Sequence, residues 1–333
     1  MRFSSVFSYS WKIGVGAMLF TYIGSIVDWG DFYTKFKNVS QVFWLLGFLI
    51  VVLQANVLGW RWQRIGQLDH IDIPVLYHTK AILISFFFSQ GLPASLGGDA
   101  FRAWWYSKRQ VGAAQGLKII AFDRIIGLVS LAAVCTASFT VFAIQGNKST
   151  AVNSLLFLVM VVMVGFCALL LPFRLGVSTF LARQLIKLPK PLAGVLAWLI
   201  DMREFFRVGT KADLAIILFL GVSVHLLTVL LGFVLALGLG TQVSFFSCLA
   251  VIAPALLVSY VPISIAGWGV REASFVLAFS LIGVETETAL LISLGIGVLV
   301  LLVSLLGGVL WAGSGMRQIY MNEARKKVVA VQS

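Results

Sequence analysis

The sequence predicts an all-α, polytopic membrane protein, and three observations carry the prediction. Sixty per cent of the 333 residues are hydrophobic and 11% are charged, whereas a soluble domain carries about a quarter charged residues. The apolar residues gather in runs of roughly 18 to 25, long enough to cross a hydrocarbon core about 30 Å thick at about 1.5 Å per residue. No succession of short segments alternating apolar and polar is present, which excludes a β-barrel. The expected architecture is about six full transmembrane helices plus two broken or re-entrant helical segments, in a single domain over residues 1–333.

In chain order, Arg2 and Lys12 precede the apolar run 13–27 of a first span over residues 10–29. No small-residue cleavage site follows, so a retained helix is expected. Residues 30–40 are polar, with Asp31, Lys35 and Lys37, and residues 41–60 form the second span, followed by Arg61 and Arg64. The apolar stretch 75–92 runs into Pro93, Gly97 and Gly98, and then a basic segment with Arg102, Lys108 and Arg109. Spans over 117–144 and 152–171 follow. Residues 172–212 are basic, with apolar residues at three- and four-residue spacing, the pattern of amphipathic helices on the cytoplasmic membrane face; a solvated loop is the other reading. The remaining apolar runs cover 214–238, 245–261, 263–282 and 289–312, before a basic tail.

The formal net charge of +12 lies mostly in certain connections between the apolar runs. That distribution sets orientation and contact with anionic lipid headgroups, not nucleic acid. The basic N-terminus, 61–80, 102–118, 172–211 and the tail are placed inside, and 30–40, 145–150, 238–244 and 283–288 outside. Both flanks of 75–92 are then cytoplasmic, so this stretch enters and returns. Residues 245–282 begin and end outside, as two crossings or as a second re-entrant segment. Cys135, Cys167 and Cys248 lie in apolar runs without ligand spacing, as small core residues. No metal site and no cofactor is expected.

Two segments about 170 residues apart resemble each other: 93–102 reads P-A-S-L-G-G-D-A-F-R and 262–271 reads P-I-S-I-A-G-W-G-V-R. Pro93/Pro262, Ser95/Ser264, Leu96/Ile265, Gly98/Gly267 and Arg102/Arg271 coincide without gaps. The expected repeat units are 41–171 and 213–312, inverted with respect to each other, with a substrate site where the broken helices meet. Proline and glycine (Pro93, Gly97, Gly98, Pro262, Gly267, Gly269) break the helix within the bilayer, where irregular backbone is tolerated only if buried or lining a polar cavity. A new helix is expected to start near Gly98 or Gly267, with Asp99 capping the first and Arg102 in its opening turn. Arg271 takes the matching place on the second. Two helix N-termini with two arginines suit a phosphate group.

The alternative is local pairing, Arg102 with Asp99 and Arg271 with Glu272. Asp123 and Arg124, being neighbours on a helix, face apart and each seeks a partner elsewhere, as a structural ion pair or lining the cavity. His225 is read as a hydrogen-bonded core histidine, and His78 as interfacial.

Residues 92–102, 121–128 (A-F-D-R-I-I-G-L) and 262–273 (P-I-S-I-A-G-W-G-V-R-E-A) resemble the lysylphosphatidylglycerol synthase transmembrane-region family, the flippase-like membrane domains. In two-part members a flippase domain moves aminoacylated phosphatidylglycerol and a soluble domain makes it. The resemblance implies a stand-alone member without the soluble synthase domain, and a function other than synthesis. Trp268 departs from the family pattern, in which a smaller aliphatic residue is common; facing the cavity, its bulk would shape the headgroup pocket.

Three function classes follow. The first is a translocase moving an anionic or phosphate-bearing lipid, aminoacylated or polyprenyl-linked, between leaflets of the inner (plasma) membrane for envelope biogenesis. Its termini would be cytoplasmic, and the candidate headgroup residues are Arg102, Arg271, Asp99, Glu272, Arg124 and Asp123. The second is a scaffold for a separate envelope-biosynthesis enzyme, recruited through 172–211. The third, a membrane enzyme, needs catalytic groups at a spacing the 13 acidic residues do not show.

Overall fold

The computed structural model describes residues 21–90, 96–144, 208–259 and 267–314, together with Gly14, Met18 and Leu19. The described residues contain helices and turns without strands. In chain order the helices are α1 (Trp29–Asn38), α2 (Gln41–Leu68), α3 (Val75–Gln90), α4 (Leu96–Ser107), α5 (Ala113–Ile144), α6 (Lys211–Gly238), α7 (Phe245–Ser259), α8 (Val270–Ser280) and α9 (Thr286–Gly313). Among the described residues, α2, most of α5, α6 and α9 are long and apolar enough to cross a membrane. The expected segments 152–171 and 172–207, Pro93, Pro262, Cys167 and most of the first span lie outside the described residues.

The spanning helices carry hydrophobic residues on their outward as well as their buried faces, as helices bathed in lipid do. Leu45, Leu49 and Leu53 of α2 and Leu302, Leu306 and Val309 of α9 point outward, while Val51, Ala55, Leu299 and Val303 of the same helices are buried. Polar caps mark the ends. Asp28 accepts from the backbone N–H groups of Gly30 and Asp31 to start α1, and Thr210 and Asp213 cap each other's backbone at the start of α6.

Helices α3 (16 residues) and α4 (12 residues), like α7 (15 residues) and α8 (11 residues), are each too short to cross alone. They form two helical hairpins inside the bundle. In residues 245–282 the described helices are α7 and α8, of 15 and 11 residues. Helix α4 is described from Leu96, with Asp99 in its first turn, and α8 begins at Val270. Gly267 and Gly269 adopt φ of +80° and +85°, a left-handed backbone that glycine takes without steric cost. The second span also runs on to Leu68, beyond its expected end at residue 60, which draws Arg61 into the bundle.

The helices form two series with one plan: long, short, short, long. Within each series the short pair packs on itself and its second arm on the following long helix. Between the series, the first arm of each hairpin packs on the last helix of the other, α3 on α9 and α7 on α5. Both crossings are close. The Ser138 hydroxyl of α5 donates to the Leu249 carbonyl of α7 at 2.8 Å, and Gly307 of α9 lies so near the Leu83 carbonyl of α3 that a Cβ there would overlap it. Ser138 and Gly307 stand 169 positions apart, as do Pro93 and Pro262. Glycine and serine allow such backbone approach where lipid offers no hydrophobic drive between helices.

Connections assigned by charge to one side meet in the fold. Lys35, in 30–40, pairs with Glu285, in 283–288, and the Asp28 N–H donates to Glu287 at 3.0 Å. At the other end, Asp69 meets Lys118 at 3.5 Å, and its carbonyl accepts from Gln115 at 3.0 Å.

Candidate functional site

A cavity of about 310 Å³ opens among α2–α6, α8 and α9, with Trp268 at the turn before α8. Both hairpins contribute to it. The lining includes Gly98, Asp99 and Arg102 from α4 and Trp268 and Arg271 at the start of α8. The close seat of α4 against α3 depends on Gly98, where a Cβ would fall 2.8 Å from the Ser85 carbonyl oxygen and closer still to the Ser89 hydroxyl.

Four guanidiniums converge on this cavity. Arg61 donates through Nε to Asp123 Oδ1 at 2.8 Å, and both side chains are buried. Arg102 donates to Asp123 Oδ2 at 2.9 Å and, through its other terminal nitrogen, to Asp99. Its guanidinium carbon also lies 5.3 Å from the Trp62 ring centroid, within the range of cation–π attraction. Asp123 therefore bridges two buried arginines, and Asp99 continues the chain by accepting from Arg124 at 2.9 and 3.1 Å. The resulting string is Arg61–Asp123–Arg102–Asp99–Arg124. Unpaired buried charges of this kind would be expelled from a bilayer interior; a carboxylate between successive guanidiniums is what lets them remain.

The second hairpin is built differently. Glu272 Oε2 accepts from the Gly269 N–H at 2.6 Å, closing the first turn of α8. Its other oxygen accepts from Arg271 at 2.6 and 3.0 Å, and the Ser293 hydroxyl joins both residues at 3.3 Å. The Arg271 guanidinium stacks over Trp268 at 4.6 Å. Gly297 of α9 makes room: a Cβ there would fall 2.8 Å from the Trp268 ring and overlap the Arg271 guanidinium.

The six candidate residues thus fall around one cavity. Arg102, Asp99, Asp123, Arg124 and Arg271 line it, and Glu272 lies buried behind Arg271. Local pairing and cavity lining are both realised, since each arginine has its expected carboxylate and still borders the cavity. Arg61, read from sequence only as a charge after the second span, is a further member; so is Gln54, which donates to the Val224 carbonyl and the Thr228 hydroxyl at 3.0 and 2.7 Å. A signal for Arg61 was available in its position between Trp60 and Trp62, an apolar setting for an arginine. His225 lines the cavity and donates through Nε2 to the Gly127 carbonyl at 3.0 Å.

His78 corrects its interfacial assignment. It is fully buried, edge-on to Trp62 with ring centroids 4.9 Å apart, in a cluster with Trp105 and Tyr106. This aromatic floor supports Arg102 from below through Trp62.

Among the described residues no group of three His, Cys, Asp or Glu side chains is placed to hold a metal ion, and Cys135 and Cys248 are buried free thiols. The arrangement provides fixed, mostly compensated charge around a polar cavity within an apolar bundle. No curated protein matches the chain at a significant level. The family model for the lysylphosphatidylglycerol synthase TM region matches residues 9–308, and with its motifs, helical fold and length of match the chain belongs to that family.

Proposed function

We propose that the protein is a lipid translocase of the plasma membrane, with both termini cytoplasmic, which passes an anionic or phosphate-bearing headgroup between leaflets through the cavity where its two hairpins meet. One observation carries the reading: in a predominantly apolar bundle, Arg102 of α4 and Arg271 of α8 border the same cavity. Polar groups at such depth are costly and persist where they serve a polar cargo. A cavity of about 310 Å³ is at the small end of ligand sites, suited to a headgroup whose acyl or prenyl chains stay in lipid. The reading is of a carrier without covalent chemistry, because both cavity carboxylates are engaged by guanidiniums and are poorly placed to act as bases.

The test is movement of labelled lipids between leaflets in proteoliposomes. Arg271→Lys keeps the charge and loses the planar fork, so movement should fall about ten- to a hundredfold, the value of one charge-assisted contact. Folded yield should be unchanged. Wild-type rates in Arg271→Lys would sink the reading.

A further inference from the structure

Helix α2 is the least enclosed of the described spanning helices. Of its most apolar 18-residue stretch 22% is buried, against 56%, 50% and 61% for α5, α6 and α9. Its inward side is fully employed: Val51, Ala55, Gly59 and Trp62 are buried, and Gln54, Leu58 and Arg61 line the cavity. Its outward side carries Val42, Leu46, Leu49, Leu53, Asn56 and Trp60, all exposed. They follow one another at alternating four- and three-residue steps, the spacing of a coiled-coil seam.

Asn56 is out of place in that stripe. As the sixteenth of 28 residues it lies about 2 Å from the helix midpoint at about 1.5 Å per residue, deep within a hydrocarbon core about 30 Å thick. Its Nδ2 donates to the Val52 carbonyl of its own helix at 2.8 Å, and its Oδ1 and second N–H meet no protein group among the described residues. Lipid offers such an amide nothing, and leaving it bare is costly. The outward residues Leu302, Leu306 and Val309 of α9 carry no comparable group. The apolar runs 13–20 and 155–171, which lie mostly outside the described residues, contain no amide, hydroxyl or charged side chain to answer it.

We infer that this stripe of α2 is the interface with a second copy of the chain. Two copies inserted in one bilayer share an orientation, so their two-fold axis stands along the membrane normal and α2 meets its counterpart in parallel. A residue on the seam then faces itself. Asparagine is self-complementary under that operation: each amide carbonyl accepts from the other's N–H, which satisfies the groups that lipid leaves bare. Leu46, Leu49 and Leu53 pack on one side of the pair and Trp60 on the other, and the single polar position fixes the register. Gln54, Leu58 and Arg61 stay on the far side of α2, so each copy keeps its own cavity. The inference is independent of what passes through that cavity.

The experiment uses the full chain in liposomes of phosphatidylethanolamine and phosphatidylglycerol. For cross-linking, Cys135, Cys167 and Cys248 are changed to Ala, and two preparations with tags of different size are reconstituted together. Leu53→Cys is expected to give a disulfide-linked species containing both tags under mild oxidation, and Leu302→Cys, on the outward side of α9, to give none. Equal linking at both positions reports random collision and overturns the interface. In the double variant Leu53→Cys, Met163→Cys, a link within one chain makes residues 155–171 the cover of the stripe, which also overturns it. The dimer dissociation constant is read separately on chains with their native cysteines, by photobleaching of a fused fluorescent protein at a series of protein-to-lipid ratios. Asn56→Leu should raise that constant about three- to thirtyfold, the range of one interhelical hydrogen bond, and Asn56→Gln, which keeps the amide, should raise it less. An unchanged constant in Asn56→Leu, or single-step bleaching of the wild type at the highest protein density, sinks the proposal even where the cysteine-free chain folds poorly.

Discussion

Across the 169-residue offset, Arg102 and Arg271 keep the same residue, but Asp99 corresponds to Trp268, Asp123 to Ile292 and Arg124 to Ser293. One helix plan therefore carries two electrostatic solutions. In the first half an arginine is held by two carboxylates in a chain of charges that includes Arg61. In the second, an indole face, a hydroxyl and one adjacent carboxylate hold its counterpart. The difference teaches that an arginine at the start of each second hairpin arm can be anchored by different means. Concentrating the ion pairs in one half leaves the other free to shape a pocket with Trp268.

That comparison breaks most readily at Asp123. Asp123→Asn leaves Arg61 and Arg102 buried with too little counter-charge and should cost about 3–5 kcal/mol. Ile292→Val, at the matching position, should cost about 0.5–1.5 kcal/mol. Thermal unfolding in detergent compares them, and similar midpoints would mean that the charged chain does not hold the first half together.

The two close crossings offer a smaller contrast. Gly307→Ser should cost about 1–3 kcal/mol by overpacking against Leu83. Ser138→Ala, at the matching position, removes one interhelical hydrogen bond worth about 0.6 kcal/mol. Folded yield after mild heating reads both; a harmless Gly307→Ser would show that α3 and α9 can separate locally.

Trp268→Leu sharpens the anchoring difference. Loss of the cation–π contact, about 0.5–1 kcal/mol, should slow lipid movement by about two- to fivefold without lowering the unfolding midpoint. A lower midpoint with unchanged movement would make Trp268 a packing residue.

The smallest effect lies at the clamp between α1 and α9. Partial burial of Lys35 opposes its charge, but Asp31 and Glu285 outweigh burial and hold its ammonium above the ordinary 10.5. A raised value makes the clamp's contribution complete below pH 10.5 and lost as pH climbs beyond it. A double-mutant cycle of Lys35→Ala and Glu285→Ala should give about 0–1 kcal/mol at neutral pH, falling as pH rises through the lysine's raised titration range. Coupling that does not fall as the lysine deprotonates would remove the ion pair as its source.

Much of this organisation is legible along the chain because a bilayer imposes strict rules on length and charge. The described spans, the left-handed glycines before α8 and the pairing of Arg102 with Asp99 follow from hydropathy, from glycine and from three-residue spacing. Arg61 was hidden because a charged residue after an apolar run looks like the end of a helix, and only the continuation to Leu68 buries it. His78 was hidden for a similar reason, since its neighbour Lys80 suggested an interface whereas Trp62, Trp105 and Tyr106 enclose it. The link from Asp99 to Arg124 spans two helices, and no local pattern encodes it. Nor does any local pattern show that each hairpin would lean on the other half's last helix.

That crossed packing has a consequence for how the protein is made. Leu83 of α3 and Gly307 of α9 are 224 positions apart, so at about 5–20 residues per second the ribosome needs on the order of ten to forty seconds to supply the partner of the first hairpin. Throughout that interval a broken helix with its buried charges sits in the membrane without the surface it will finally rest against. Asp123 pairs with Arg61 and Arg102 from within the same half, so the partners that compensate these charges are all made before the wait begins.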